Sequence, residues 1–393
     1  MKRFGLIIIS VAFLAVLPLS AATWKVGKST LADFDSIQQA ILDSSVQSGD
    51  TILVLPGVYV ENVWFPANKN LVVRGVKGYK ETIIQRPEMD SKGPQMTVLI
   101  RSRSVFEGFT VEDPKGVIWP LTTLESLPQP GGQILENTAG ITVTGPATVK
   151  NNYVSGHRFG ILQECPSGAM GIPPVIRFNI VEHNDIGIGC CETFSIFRDN
   201  IVTNNFWLGI FVGHSSCDEI VNNLVIGNGT LGRETSCGVF CWQSYTWRPY
   251  ELNPKISANT IAANNGDGII CVYVEGAPNV PVIEHSIIAQ NSGIGIHVVP
   301  ADNENDTPRP RVYNCNIWGN AVADVKNVSR TINCISEDPL FVHGYRLDYL
   351  SPCIDRGALP ENIGSTTIDN KPDKGKQDLG FHYPIPLMPG LLQ

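Results

Sequence analysis

One short pattern of polar and apolar positions recurs between Asn179 and Ile296. Each copy begins with Asn or Ser, has Val or Ile two residues later and Asn five residues later, and ends in Gly followed by Ile. The copies are NIVEHNDIGI, NIVTNNFWLGI, NTIAANNGDGI and SIIAQNSGIGI. Gly-Ile or Gly-Val pairs occur at 160, 187, 209, 238, 268 and 295, which are 22 to 30 residues apart. A repeat of this length is typical of a solenoid.

The apolar runs between the repeated Gly and Asn residues are short, as in strands joined by tight turns. Charged residues make up only 17% of the 393 residues, and there are 37 glycines. We therefore predict an all-β solenoid whose coils occupy residues 51–335, about ten or eleven coils stacked roughly 4.8 Å apart. The repeated Asn residues are predicted to be structural, because Asn tolerates left-handed φ and its amide can pair with copies above and below.

The two ends of the chain differ from the coils. Residues 1–22 have a basic start, an apolar run and the small residues Ser20-Ala21-Ala22, which predict a secretory signal peptide in preference to a membrane anchor. Residues 23–50 are predicted to form an N-terminal cap of one strand and an amphipathic helix, with Ile37, Ala40 and Ile41 on its apolar face. Residues 336–393 are interpreted as a C-terminal capping segment and tail.

Two stretches resemble a known superfamily. IQQAILDSSVQSGDTILVLPGVYVENVWF and the following NLVVRG look like the entry to the right-handed parallel β-helix, or pectin-lyase-like, superfamily of exported bacterial proteins, and the Asn-Ile-Val and Gly-Ile phrases resemble its repeat. The resemblance implies a single-stranded right-handed parallel β-helix with an N-terminal helical cap. It does not fix the reaction, because the superfamily contains lyases, hydrolases, epimerases, adhesins and binding proteins.

Charge limits the partners of the chain. The formal net charge is −8, and removal of Lys2 and Arg3 with the signal peptide would make it about −10. An acidic chain is a poor ligand for nucleic acid or anionic lipid, and a polyanionic polysaccharide would need a local basic cluster or a bridging metal. No other segment is apolar and long enough for membrane insertion. We expect a monomer that is secreted, periplasmic or at the cell surface.

The ten cysteines do not have the spacing of a metal finger. Cys190, Cys241 and Cys271 each follow the repeat Gly by three residues, so they are predicted to stack inside the solenoid as small buried side chains. Side-chain alternation then places Cys191 on the outside. Cys334 and Cys353, outside the regular phrase, are the suggested disulfide pair.

The same alternation predicts which side chains face outward after each repeat Gly. If the repeat Ile and Val residues point inward, the outward set is Leu162, Gly189, Phe211, Phe240, Ile270 and His297, followed by Glu164, Cys191, Gly213, Trp242 and Val272. Aromatic rings beside acids suit a carbohydrate groove. The predicted substrate-binding residues are Phe211, Phe240, Trp242, Tyr245, Trp247 and Tyr273. Alternatively, loop Asp113–Asn137 or loop Trp242–Tyr250 could cover this stripe.

The catalytic candidates are Glu164, Glu192 and His214. Glycoside hydrolysis needs two carboxyl groups about 5–10 Å apart, and Glu164 with Glu192 on the neighbouring coil is the pair predicted first. The chain has Gly213-His214-Ser215 but lacks the clustered Asp residues and Gly-His-Gly that the resemblance to polygalacturonases would require. Arg158, Arg177 and Arg198 are candidates for the base of a lyase, without an accompanying acidic cluster.

No cofactor or metal site is predicted. Residues 302–306 (DNEND) have calcium-type oxygen ligands, but a solvated polar loop is the preferred interpretation. Copper handling would need soft ligands, and the five Met and the buried cysteines argue against it. The sequence thus predicts an exported carbohydrate-binding β-helix protein and leaves open whether it also acts on a polysaccharide, as a lyase, glycoside hydrolase or epimerase. The alternative is a non-catalytic surface or periplasmic protein with a binding or structural role.

Overall fold

The chain winds through three parallel sheets, adding one short strand to each sheet per coil. The computed structural model describes residues 21–88, 96–117, 139–164, 172–191, 194–213, 219–243, 254–273, 280–300, 309–357 and 376–382. Parallel strands joined by crossovers of this kind form right-handed coils. The predicted all-β, right-handed parallel β-helix is confirmed. Except for Ala21 and Ala22, the predicted signal peptide lies outside the described residues.

The three sheets contain twelve, ten and ten strands, here called sheets A, B and C. The strands of sheet A are β1 (Thr23–Val26), β2 (Thr51–Val54), β5 (Val72–Gly75), β8 (Val105–Glu107), β11 (Thr148–Lys150), β14 (Val175–Arg177), β17 (Ile196–Arg198), β20 (Glu219–Val221), β23 (Lys255–Ser257), β26 (Val282–Glu284), β29 (Arg311–Tyr313) and β32 (Thr331–Ile332). The strands of sheet B are β3 (Gly57–Val60), β6 (Thr82–Gln85), β9 (Thr110–Glu112), β12 (Tyr153–Ser155), β15 (Ile180–Glu182), β18 (Ile201–Thr203), β21 (Leu224–Ile226), β24 (Thr260–Ala262), β27 (Ile287–Ala289) and β30 (Asn316–Trp318). The strands of sheet C are β4 (Val63–Phe65), β7 (Val98–Ile100), β10 (Ala139–Val143), β13 (Phe159–Glu164), β16 (Ile186–Cys191), β19 (Leu208–Gly213), β22 (Cys237–Gln243), β25 (Asp267–Tyr273), β28 (Ile294–Val299) and β31 (Ala323–Lys326).

Each coil passes from sheet A to B to C, and the interior is one continuous apolar core. The repeat residues Ile188, Ile210 and Val239 are directly paired in sheet C and completely buried, as predicted. The cysteines predicted to stack inside also belong to this core: Cys190, Cys241 and Cys271. The repeat therefore fills the core with β-branched residues and small thiols.

Two ladders of buried Asn side chains run along the corners of the coils. At the A–B corner, Asn179 donates both its backbone N–H and its side-chain Nδ2 to Oδ1 of Asn200, each at 3.0 Å. Asn200 makes the same two bonds to Asn223, and its Nδ2 also donates to the carbonyl of Ile176. The ladder at the B–C corner has the same pattern through Asn184, Asn205, Asn228, Asn264, Asn291 and Asn320. The structural role predicted for the repeated Asn residues follows from these bonds.

Left-handed φ does occur at repeated Asn residues such as Asn204 and Asn222, but the ladder Asn itself is not the left-handed residue. The positive φ belongs to the residue just before it, for example Phe178 (57°), Asp199 (59°) and Ala258 (54°). Such a conformation is unfavourable for a residue with a side chain and persists only where its surroundings enforce it. Here the ladder bonds of the following Asn enforce it.

The glycine before each repeat Ile is required by the ladder at the B–C corner. A Cβ on Gly187 would lie 2.6 Å from the carbonyl oxygen of Gly209 and 2.8 Å from Nδ2 of Asn205. The same crowding occurs at Gly160, Gly209 and Gly268. The repeat thus needs Gly before Ile because the ladder Asn of the neighbouring coil leaves no room for a side chain at that position.

The N-terminal helix α1 (Ile37–Leu42) packs against β1, β2 and β4. The Ser36 side chain accepts the Gln39 N–H at its start, and the carboxylate of Glu61 accepts the N–H groups of Ile37 and Gln38. Its buried face is the predicted set Ile37, Ala40 and Ile41. The helix therefore joins the first coil through apolar contact and an anchored N-terminus.

The C-terminal residues fold back on the outside of sheet B. A small hairpin of β33 (Phe341–Val342) and β34 (Arg346–Leu347) encloses a 3-10 turn at His343–Tyr345. Further along, the His382 N–H donates to Oδ1 of Asn222, whose Nδ2 donates to the His382 carbonyl. Phe381 packs on Leu224. Residues 376–382 therefore cover the outer side of sheet B.

The suggested Cys334–Cys353 disulfide is wrong, since both residues are free thiols. Cys334 lies instead beside Cys315 of the preceding coil, where its Sγ accepts the Cys315 N–H at 3.4 Å. Cys353 accepts a hydrogen bond from Nδ2 of Asn316 at 3.0 Å. The error arose because Cys315 was not recognised as occupying the ladder position of its coil.

We predict that Asn200→Ala lowers the free energy of unfolding by about 3 kcal/mol, because two buried donors of Asn179 lose their acceptor. Urea denaturation followed by circular dichroism measures this loss. Asn68→Ala, at an exposed turn, is the matched control and should change stability by less than about 0.5 kcal/mol. Equal effects of the two substitutions would show that the ladder is not a major source of stability.

Candidate functional site

Sheet C is bordered on both sides by connections whose length changes from coil to coil. Those from sheet B to sheet C contain 2 to 26 residues, and those from C to A contain 4 to 11. By contrast, nine of the ten connections from A to B contain two residues. Variable connections flanking a regular sheet are where solenoid proteins place function. The outer face of sheet C is therefore the candidate site.

A second apolar cluster, separate from the core, covers the middle of this face. Phe211 and Phe240 belong to it and face outward as predicted, with ring centroids 6.1 Å apart at an interplanar angle of 27°. Both side chains are nevertheless completely buried, so neither ring is exposed to a sugar in this structure. Trp242 lies at the edge of the cluster and is half-buried.

Glu164 is the most unusual polar group on the face. It ends strand β13, is only 6% exposed, and its Oε1 has no hydrogen-bond partner in the described part of the chain. Burial raises its pKa to about 8, because the desolvated carboxylate is unfavourable. Glu164 is thus held protonated at neutral pH and can donate a proton.

The register of sheet C places Glu164 in line with other candidates. Cys191 is its neighbour on the next coil, followed by Gly213 and then Trp242. Gly213 leaves a position without a side chain between the acid and the indole. Three strand spacings separate Glu164 from Trp242, roughly 14 Å, a span that several sugar units of an extended glycan would cover.

Tyr273 was placed wrongly among the substrate-binding residues. It is the last residue of β25 and continues the alternation, so that Val272 faces out and Tyr273 faces in. Its ring is part of the solenoid core and 3% exposed. The sequence pattern ended the strand too early.

Four other predicted site residues lie outside the described residues: Glu192, His214, Tyr245 and Trp247. Glu192 directly follows Cys191, the register neighbour of Glu164. The Glu164–Glu192 pair therefore stays a prediction, as do the roles of the other three. The loop Asp113–Asn137 lies mostly outside the described residues as well, and so does the stretch at 302–306.

The sequence analysis missed an Asp–His pair on this face. Oδ2 of Asp267 is 2.8 Å from Nδ1 of His297 on the next coil, and its Oδ1 accepts the Ile294 N–H. The residue before the repeat Gly is apolar in other coils, as at Ile186 and Leu208, but it is Asp at 267. An Asp at this otherwise apolar position is the sequence signal for the Asp–His pair. It is easily read as part of a turn, because Asp-Gly is common in turns.

A buried ion pair lies at the B–C edge of the same face. Nη1 of Arg233 is 2.6 Å from Oδ1 of Asp185, which is completely buried. The guanidinium also lies over the ring of Trp207, 5.7 Å from its centroid. This arrangement fixes the long B–C connection at Gly227–Ser236 to the two coils that precede it, through Trp207 on the first and Asp185 on the second. These two contacts of Arg233 therefore hold the B–C edge of the sheet C face in place.

The described residues contain no group of three or more His, Cys, Asp or Glu that could hold a metal ion. Among the same residues, no helix has the length and hydropathy to cross a membrane.

The fold and the loop-flanked sheet define a right-handed parallel β-helix with a candidate site on the outside of sheet C. The model of the family described as "Periplasmic copper-binding protein (NosD)" matches residues 130–333, just over half of the chain. The chain belongs to this family.

The solved structure of a pectate lyase supports the fold. Pectate lyase Pel9A superposes with a TM-score of 0.56 over 92% of this chain and 98% of its own, at 15% identity. The A-module of the mannuronan C-5 epimerase AlgE4 from Azotobacter vinelandii has a TM-score of 0.46 over 72% and 73%, at 17% identity. Likeness at these identities concerns the fold alone.

A curated relative is the "Cell surface glycoprotein" of Methanothermus fervidus, 26% identical over 375 residues. The match covers 93% of this chain and 55% of the relative. The chain thus spans about half the length of that protein.

We predict that Glu164 makes the protein less stable as the pH rises. A carboxyl whose pKa is about 8 when folded and near 4.5 when unfolded binds its proton more tightly in the folded state between these values. The stability it provides is complete below pH 4.5 and is lost as the pH rises through 8. Replacement of Glu164 by Gln should therefore raise the free energy of unfolding more at pH 8.5 than at pH 5, by up to about 4 kcal/mol.

Urea denaturation of the wild type and Glu164→Gln at both pH values measures this difference. Glu219→Gln, which removes an exposed carboxylate of sheet A, is the matched control. Parallel pH profiles for the wild type and Glu164→Gln would show that the carboxyl is ionised in the folded protein.

Proposed function

We propose that this protein acts outside the cytoplasm on a carbohydrate chain bound along the outer face of sheet C, with Glu164 as the proton donor to a glycosidic oxygen. The observation that carries the proposal is the buried carboxyl of Glu164, whose Oε1 has no hydrogen-bond partner among the described residues and whose pKa burial raises to about 8. A protonated acid on a loop-bordered face is what cleavage of a glycosidic bond requires. The periplasmic description of the family and the cell-surface relative support the location.

The proposed chemistry divides between two carboxyl groups. Glu164 protonates the leaving oxygen as the glycosidic C–O bond breaks. Its partner Glu192, which follows the neighbouring register position, takes a proton from the water that bonds to the anomeric carbon. A buried carboxyl without a hydrogen-bond partner reduces stability, so a role in proton transfer gives a reason for its presence. Trp242 supplies an apolar surface for a sugar ring further along the face.

Copper requires separate consideration, since the description of the family names it. Cys190, Cys241 and Cys271 are buried in the solenoid core, and the described residues offer no cluster of three metal-binding side chains. These residues do not fit a copper centre. The proposed function has no step that depends on a metal.

A second candidate is carbohydrate binding without catalysis. The half-buried Trp242 at the edge of the apolar cluster favours it, because an indole can hold a sugar ring without any proton transfer. In this case the edge residues, with Trp242 among them, would hold a glycan at the surface. The relative described as a cell surface glycoprotein is consistent with this role.

We predict that Glu164→Gln abolishes the turnover of a polysaccharide that the wild type cleaves, with a fall in kcat of at least about 100-fold. The measurement is product analysis by mass spectrometry after incubation with a panel of plant, algal and bacterial polysaccharides. The control Glu219→Gln should retain full turnover, and both variants should melt cooperatively.

The result separates the two candidates. If no polysaccharide yields products but glycan binding occurs and Trp242→Ala removes it, the protein binds without catalysis. Turnover that survives Glu164→Gln would exclude Glu164 as the acid.

A further inference from the structure

One connection at the A–B corner departs from all the others. The other nine have two residues, but the connection between β5 and β6 has six, Val76–Glu81, with the sequence VKGYKE. The corners on either side of it, Leu55–Pro56 and Gly108–Phe109, have two residues, so the insertion departs from the pattern at one coil only. An insertion into an otherwise constant corner of a solenoid marks a local feature of its own.

The insertion borders a cavity of about 460 Å³ that is open to the surface and within the size range of ligand pockets. Its walls are the inserted residues, the backbone of the next two coils and the side chain of Arg74. Gly108 and Asn151, both with left-handed φ, form the floor. The cavity lies away from sheet C.

The charge around this cavity is opposite to that of the whole chain. Lys77 and Lys80 are exposed at its rim, and Arg74 lines its wall. The charge of the buried Glu107 is already neutralised. Its carboxylate forms ion pairs with Nε of Arg74 and, at 2.9 Å, with Nζ of Lys150. These two cations hold the pKa of Glu107 below its usual range despite its burial. The four cations Lys77, Lys80, Arg74 and Lys150 outnumber the three carboxylates of Glu81, Glu107 and Glu182, in a chain whose net charge is −8.

An aromatic ring adjoins these cations. Tyr79 lines the cavity, is only partly buried, and stacks on Tyr153 with centroids 6.1 Å apart and an angle of 14°. The hydroxyl of Tyr153 donates to Glu182 at 2.7 Å, which holds the supporting ring in place. A fixed aromatic ring beside cations suits a ring-shaped ligand that carries negative charge.

The positive charge continues beyond the cavity. Lys150, Arg177 and Arg198 are paired in register on three successive coils of sheet A. Like charges directly opposite one another in a sheet are unfavourable. Arg198 has Asp199 beside it at 2.9 Å, whereas the described residues provide no carboxylate for Arg177, which lies over the ring of Phe178. The stripe has a cation every strand spacing, about 4.8 Å, close to the length of one sugar unit.

We propose that the cavity and this stripe form a binding site for an acidic polysaccharide. One carboxylated or sulfated sugar occupies the cavity, with its anionic group on Lys77, Lys80 and Arg74 and its ring against Tyr79. Further anionic units follow the coils over Lys150, Arg177 and Arg198. This site is separate from sheet C and does not depend on the function proposed there.

The test is isothermal titration of the full chain with a hexuronan oligosaccharide and with a sulfated oligosaccharide of equal length. Neutral oligosaccharide, inorganic phosphate and single-stranded DNA serve as competitors. We expect binding of at least one acidic oligosaccharide that weakens with salt. Lys77→Glu/Lys80→Glu should weaken it at least about tenfold and reduce the salt dependence. Tyr79→Ala should weaken it several-fold without changing the salt dependence.

Matched controls separate a site from general charge. Lys28→Glu/Lys376→Glu makes the same charge change at exposed positions elsewhere and should leave the affinity unchanged. Glu164→Gln and Trp242→Ala should also leave it unchanged, so failure here is distinguishable from failure of the sheet C site. Circular dichroism and thermal melting confirm that each variant is folded.

Four outcomes would overturn the proposal. They are the absence of binding, equal weakening by the control pair, loss of binding only in the sheet C variants, and equally effective competition by phosphate or DNA. The last would indicate a small-anion pocket or a general polyanion surface.

Discussion

The structure depends on the satisfaction of buried amides at the corners of the coils. A corner of two residues turns the chain sharply and leaves backbone N–H groups pointing along the solenoid axis, where no water reaches them. Each ladder Asn supplies an acceptor for the N–H and amide of the coil before it, and its own amide reaches a backbone carbonyl of an earlier coil, as Asn200 does with Ile176. The bonds repeat with the coil spacing, so a change at one coil leaves unpaired groups on its neighbours.

This constraint explains which parts of a coil can vary. The A–B corner has an Asn ladder and is nearly constant in length, whereas the connections around sheet C range up to 26 residues. The B–C corner also has a ladder, yet long connections occur there because the ladder residue can bond before the chain departs, as Asn228 does before the connection that contains Arg233. Variation is therefore directed to the edges of sheet C, which makes its outer face the place where coils differ in chemistry.

The sequence predicted the parts of the structure that the repeat determines. The coil period, the inward Ile and Val residues, the stacked Cys190, Cys241 and Cys271, and the apolar face of α1 all follow from spacing and alternation. Burial could not be predicted in this way. Alternation places Phe211 outside sheet C, but only the cluster around it decides that its ring is covered. The raised pKa of Glu164 has the same origin, because it depends on desolvation by residues distant in sequence.

Departures from the repeat were more informative than the repeat itself, but they were harder to recognise. Asp267 replaces an apolar residue and pairs with His297, Cys315 replaces a ladder Asn and lies beside Cys334, and VKGYKE replaces a two-residue corner. Each exchange gives up an interaction that neighbouring coils retain, so each needs a compensating contact or a function. For Asp267 and Cys315 the compensating contact is visible in the structure. The insertion at Val76–Glu81 also makes contacts of its own, since Tyr79 stacks on Tyr153 and its carbonyl accepts the Thr110 hydroxyl. In addition it forms a cavity with a concentration of positive charge, which a ligand of opposite charge would balance.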